Sequence, residues 1–220
     1  MKYSIAHYSF LADIYEYPME GYSEKISTAQ EFLEKAFPEA ANLLRPFTDY
    51  MLTLPLKKQE ELFIRSFDVQ SVTTLDLGYV LFGDDYKRGE LLVNLNREHR
   101  EVQNDCGIEL ADHLSNVLRL LPKMQDSAIV EELARRIVAS ALRRMIPGFD
   151  PEQIALKDKF YEKRHKTIIE RDENHYTIYQ QALQALHWVI KNDFGIVERE
   201  TPEEVSDFLK NIHTEVQLEG

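Results

Sequence analysis

The sequence predicts an all-α fold, and two observations carry that prediction. Apolar residues recur at spacings of three and four along most of the chain, the period of a helix with one buried face. Glycine and proline are scarce, with eight of each in 220 residues, whereas an all-β chain spends more of both on its turns. A chain of this length buries about 70 % of its unfolded surface, enough to fold without staples. With 44 % hydrophobic and 29 % charged residues it reads as one globular domain over 1–220 rather than a disordered segment. About nine to eleven helices fit that length.

Each element follows from its own residues. Ile5, Tyr8, Leu11, Ile14 and Tyr15 form an apolar stripe that stops before Pro18. Ser23 is the expected N-cap of a second helix, which turns Ile26, Phe32, Leu33 and Phe37 inward. Pro38 opens a third, where its missing N–H costs nothing, and Pro46 is expected to kink or restart it. Thr53-Leu54-Pro55 begins a fourth with Leu56, Phe63 and Phe67 in register. Asp68–Thr74 is a loop. Leu75–Phe82 reads as a short buried helix, with a strand as the alternative that Gly78 and Gly83 disfavour.

Asp85–Gln103 is a helix with Leu91, Leu92, Leu95 and Val102 inward, and Asn104–Leu110 is a loop turning at Gly107. Asp112 is the expected N-cap of Leu114–Leu121, which ends at Pro122. Ser127–Met145 is the clearest helix, its apolar stripe running from Ile129 to Leu142 before Pro147-Gly148. Lys157–Lys166 holds five bases and two acids and is expected to be a solvated face. Tyr176–Asp193 is another clear helix. Thr201-Pro202-Glu203-Glu204 is a capping box for a last helix, Pro202–Val216, within an acidic tail.

Charge narrows the classes of partner. Twenty-six basic against 38 acidic residues leave a net −12, a field that repels phosphate backbones and attracts a cationic peptide. The single cysteine, Cys106, excludes an internal disulfide and a multi-cysteine metal site. Asp105 and Glu109 beside it raise the thiol pKa and blunt its reactivity. The acidic, tyrosine-rich N-terminus has no apolar core of the signal-peptide kind, and no run approaches the roughly 18 residues that span a bilayer. A cytoplasmic location is expected.

No catalytic machinery stands out. The seven histidines (7, 99, 113, 165, 175, 187 and 213) are scattered without the i, i+4 spacing of a helical metal site. Gly83–Gly89 resembles a phosphate loop only superficially, since Asp84 and Asp85 stand where a phosphate would go and no Gly-Lys-Ser/Thr follows. It makes better sense as a turn in which Asp84 or Asp85 caps a helix begun by Lys87 and Arg88. Two cations near a helix N-terminus are poorly placed, so a group outside the helix is expected to want them. Asp112-His113 is the one pair suited to proton transfer, and an enzyme using that dyad is the first alternative function.

Three segments together resemble one family. Glu61-Leu62-Phe63-Ile64-Arg65-Ser66-Phe67-Asp68, then Tyr79-Val80-Leu81-Phe82-Gly83-Asp84 running on to Lys87-Arg88-Gly89, then Glu109-Leu110-Ala111-Asp112-His113-Leu114 occur in family order and spacing. They resemble the cytoplasmic assembly chaperones of molybdenum enzymes, the NarJ/TorD type, and most of all its nitrate reductase branch. The resemblance covers roughly 10–142, with the helices of 150–220 weakly matched. Ala111 departs from a common proline, which leaves the loop before Asp112 less rigid, and Tyr86 stands where that branch often has arginine.

The resemblance implies an all-helical binding protein with no catalysis and no cofactor of its own, and, as a second alternative, a weak guanine-nucleotide-binding helical protein. The binding protein would grip the N-terminal, twin-arginine-type segment of a molybdoenzyme catalytic subunit and hold the apoenzyme for molybdenum cofactor insertion, alongside the cofactor delivery machinery. A monomer, or a dimer exchanging helices across the 147–150 break, fits that role. The peptide would meet carboxylates at Asp68, Asp84, Asp85 and Asp112 and apolar groups at Phe67, Tyr79, Phe82 and Leu114. Gly83, Lys87, Arg88 and His113 complete the expected site.

Overall fold

Helices form where the apolar period and the local turns agree. The structure, a computed structural model, describes residues 5–69, 71–152, 154 and 177–197. In chain order these hold α1 (Tyr8–Leu11), continued by a 3-10 turn at Ala12–Tyr15; α2 (Tyr22–Ala36); α3 (Pro38–Leu52); α4 (Leu56–Phe67); α5 (Leu77–Phe82); and α6 (Tyr86–Glu101). Then come α7 (Leu114–Leu120), α8 (Ser127–Glu132), a π-helical stretch at Leu133–Val138, α9 (Ala139–Met145), a 3-10 turn at Ile146–Phe149, and α10 (Tyr179–Asp193). Among the described residues no strand occurs; Asp76 and His113 form an isolated antiparallel bridge. The fold is all-α, as the periodicity predicts.

The described residues gather into two compact units. The first comprises 5–15, 75–141 and 189–197; the second comprises 16–69, 71–74, 142–152, 154 and 177–188.

In the second unit α2 packs on α3. Helix α2 starts after Gly21, whose φ of +86° only glycine adopts freely, so Ser23 lies inside the first turn instead of capping it. The Ser23 hydroxyl accepts from the buried amide of Gln59, which also donates to the Met51 carbonyl and so ties the start of α4 to the end of α3. Pro46 neither stops nor restarts α3. The buried face of Leu44, Phe47, Thr48 and Met51 runs straight through it, and that burial offsets the roughly 3 kcal/mol an interior proline costs. Tyr179 is completely buried among Phe47 and Phe67, at centroid distances of 5.0 and 4.9 Å, and its hydroxyl meets that of Tyr22 at 3.0 Å.

In the first unit α1 and its 3-10 turn pack on α7. His7 and Tyr8 both reach the Asp193 carboxylate at 2.8 Å, and Arg119 pairs with Asp13. The 127–145 segment departs from the regular helix predicted for it, because Leu133–Val138 is wound as a π-helix. Ala139, which directly follows it, is buried beside Val138. Asp126 caps the start of α8 through the amides of Ala128 and Ile129.

No helix among the described residues is long and apolar enough to cross a membrane. The basic segment 157–166, the capping box at 201–204 with its helix over 202–216, and His165, His175 and His213 lie outside the described residues.

Candidate functional site

Two of the three family-like segments meet in the first unit, and the backbone makes the join. The Leu77 amide donates to the Asp112 carbonyl at 2.9 Å and the Leu114 amide to the Leu75 carbonyl at 2.8 Å, which pairs Asp76 with His113. Helix α5 leaves this bridge with Leu77 and Gly78 buried and Tyr79 exposed, so only one face of it belongs to the core. Gly83 then turns the chain at φ +63°, and Asp85 caps α6 by accepting the Lys87 amide at 3.0 Å. Helix α6 begins at Tyr86, one residue after the start of the predicted Asp85–Gln103 helix, with Asp85 as its N-cap.

The side chain of Arg88 turns back from α6 onto this bridge. Its Nη2 donates to Asp76 Oδ2 at 2.8 Å, its Nε donates to Asp112 Oδ2 at 3.2 Å, and its guanidinium carbon lies 5.3 Å from the Tyr79 ring centroid. The Gly78 amide donates to the same Asp112 oxygen at 3.1 Å. Gly78 is the residue this packing requires: a Cβ there would stand 2.6 Å from Asp112 Oδ2 and 3.1 Å from Arg88 Cγ. These pairs answer the expectation that a group outside α6 wants Arg88.

Asp112 therefore clamps, and does not cap. The N-cap position of α7 is His113, whose side chain makes no cap bond; its Nδ1 meets Ser115 Oγ at 2.9 Å. The Asp112 side chain is wholly buried, and its Oδ1 has no hydrogen-bond partner. Burial, followed by the charge of Asp76, raises the Asp112 pKa, while Arg88 and the Gly78 amide pull it down. Burial works against the charged form of Arg88, yet the hydrogen bond and charge of Asp112 and the charge of Asp76 raise its pKa.

A second polar network fixes the preceding loop. His99 is buried on α6, with Nε2 against the Ala111 carbonyl at 3.0 Å and Nδ1 against the Asn104 amide at 2.9 Å. A carbonyl only accepts, so Nε2 carries the proton and Nδ1 receives one from Asn104. Lys123 donates to Asn104 Oδ1 at 2.7 Å, and Asn116 donates to the carbonyls of Cys106 and Leu110. Burial, with the charge of Lys123, lowers the His99 pKa. Burial pushes the Cys106 thiol up, as does Asp105.

The predicted site residues divide by exposure and by unit. Tyr79 is 44 % exposed, Asp84 and Asp85 are exposed, and Phe82, Gly83, Lys87 and Arg88 are partly so. Leu114 and Asp112 are at 0 % and His113 at 7 %, so none of the three is presented directly to solvent. Phe67 is buried in the second unit, edge-on to Phe63 and Tyr179, and Asp68 is exposed at the end of α4 in that same unit. Asp76 and Gly78 were not among the predicted residues. Their signals were a carboxylate ahead of the apolar element and a glycine inside it. His99 also had a legible signal, since it continues the Leu91–Leu95 face of α6 by four residues.

Exposed apolar groups surround the turn in sequence: Tyr86 at 65 % and Val93 at 68 % lie seven residues apart on α6. No three His, Cys, Asp or Glu side chains among the described residues are grouped to hold a metal ion. No protein-family model matches the chain, and no curated protein matches it.

Proposed function

We propose that this chain is a binding protein without catalysis of its own, an assembly chaperone that grips the N-terminal, twin-arginine-type segment of a molybdoenzyme catalytic subunit until the molybdenum cofactor is inserted. The observation that carries the reading is the α5–α6 corner. Two segments of the family-like pattern, distant in sequence, are joined there by the Asp76–His113 bridge and by Asp112. The corner displays carboxylates at Asp84 and Asp85 between the exposed rings of Tyr79 and Tyr86. Such a surface suits a cationic segment followed by an apolar one: guanidiniums pair with carboxylates, and rings receive both the cations and the apolar side chains. The net charge of −12 favours the same ligand.

The test is calorimetric titration with a synthetic peptide carrying two consecutive arginines ahead of an alanine–leucine stretch, at low and high salt. The expected result is micromolar binding, about −8 kcal/mol, that weakens as salt screens the carboxylates. A soluble peptide that releases no heat and shows no binding overturns the reading. Binding that ignores salt removes its electrostatic basis.

A further inference from the structure

Two carboxylates and an aromatic face, arranged around one guanidinium, make a receptor for arginine. Asp76 and Asp112 each take a different nitrogen of Arg88, and Tyr79 presents its ring to the cation. A planar fork meets each carboxylate with its own nitrogen, whereas lysine has a single nitrogen to share between the two. Gly78 makes the room, because a Cβ there would collide with Asp112 Oδ2 at 2.6 Å and crowd the Arg88 stem at 3.1 Å. The pocket has a wet side and a dry side: the side chains of Asp76 and Arg88 are 24 % and 17 % exposed, Tyr79 is 44 % exposed, and Asp112 is sealed.

Two features set this clamp apart from an ordinary structural ion pair. Asp112 keeps one buried oxygen, Oδ1, without a hydrogen-bond partner, so the resident guanidinium leaves the receptor incompletely satisfied. Arg88 also sits in the first turn of α6, where the helix field disfavours a cation, so its own backbone position works against the bound state. The exposed carboxylates Asp84 and Asp85 are on the turn immediately before it, where an arriving arginine would first be held.

We infer that Asp76, Asp112 and Tyr79 form an arginine-recognition pocket that Arg88 occupies as an internal stand-in, and that an arginine of the bound segment displaces Arg88 from it. The inference rests on the peptide-binding reading above and adds its regulation. The pocket is closed to weak cations while Arg88 is in place and opens to a ligand that supplies a guanidinium of its own.

Two variants test it. Arg88→Ala empties the pocket, and its melting temperature is read in methylguanidinium chloride and in methylammonium chloride at equal concentration. The expected result is a rise of several degrees with methylguanidinium alone, absent in the wild type; an equal response to both salts, or an equal response in the wild type, overturns the pocket. Arg88→Lys keeps a cation whose one nitrogen has to serve both carboxylates, without the planar fork. It is expected to bind the twin-arginine peptide about tenfold tighter than the wild type, because its resident yields more readily. Equal or weaker binding overturns displacement. Should Arg88→Ala fail to fold in either salt, the Arg88→Lys affinity decides. Should the peptide bind neither wild type nor Arg88→Lys, the functional reading and the displacement both fall, while rescue of Arg88→Ala still reports on the pocket itself.

Discussion

The stretch from Asn104 to His113 is held at its two ends by polar networks of opposite character. At one end His99, Asn104, Asn116 and Lys123 form a network in which the imidazole is neutral and both its nitrogens have partners. At the other end Asp76, Arg88 and Asp112 form an ionic clamp, part exposed, with one buried carboxylate oxygen unpaired. Full satisfaction specifies a single arrangement and makes it costly to leave. A charged network that lacks one bond is tense instead, since its groups were desolvated without complete repayment. One end is suited to staying put, and the other to exchange.

The comparison breaks most sharply at Asp112. Asp112→Ala strips the sealed carboxylate from Arg88 and from the Gly78 amide, and about 3–5 kcal/mol of stability is expected to go with it in urea unfolding. A loss under 1 kcal/mol would mean the clamp holds nothing. Gly78→Ala attacks the same clamp sterically. Its new methyl meets Asp112 Oδ2 at 2.6 Å, and a loss of about 1–3 kcal/mol is expected by the same measurement. Asn104→Ala opens the neutral network by leaving buried His99 Nδ1 and the Lys123 ammonium without their amide, at about 1–3 kcal/mol.

Acid separates the two networks by sign. The folded state holds the His99 pKa below its ordinary 6.5, so as pH falls through that value the unfolded chain takes up a proton the native state refuses, and stability drops. Asp112 has the opposite shift. Above its ordinary 3.8 the native carboxyl keeps a proton more readily than the unfolded one, so its contribution grows as pH falls toward that range and is lost as pH rises through the raised native value. His99→Gln is therefore expected to flatten the decline of stability between pH 7 and pH 5, a window that spans the ordinary imidazole value of about 6.5, in melts run across it. An unchanged decline would assign it to other groups. The smallest effect on folding is expected at Tyr86→Ala, within about 0.5 kcal/mol of the wild type, since the ring is 65 % exposed; its twin-arginine peptide affinity is expected to fall several-fold.

The helical class and most helix positions were legible because they depend on period. Leu91 and Leu95 on α6, and Leu183, Leu186, Val189 and Ile190 on α10, are buried as their spacing requires. Local signals were less sufficient wherever a distant partner competed. Asp112 looks like a cap from its neighbours, but the Arg88 guanidinium 24 residues earlier in the chain and the Gly78 amide claim its carboxylate, and His113 takes the cap position. Ser23 looks like a cap too, but the left-handed turn at Gly21 starts α2 sooner. Pro46 is expected to kink or restart α3, and the helix runs on through it as one element with its buried neighbours on either side. At the proposed site, Tyr79, Asp84 and Asp85 are singled out by sequence and are exposed, while Asp76 and Gly78 acquire meaning only when the bridge to His113 brings Asp112 against them.

Hydrogen exchange of the wild-type chain, with and without saturating twin-arginine peptide, tests the central claim most directly. The account predicts new protection of the backbone amides of 77–88, the α5–α6 corner, with those of 104–111 protected equally in both states. Peptide bound with no change at 77–88, or with protection confined to the second unit, would contradict it.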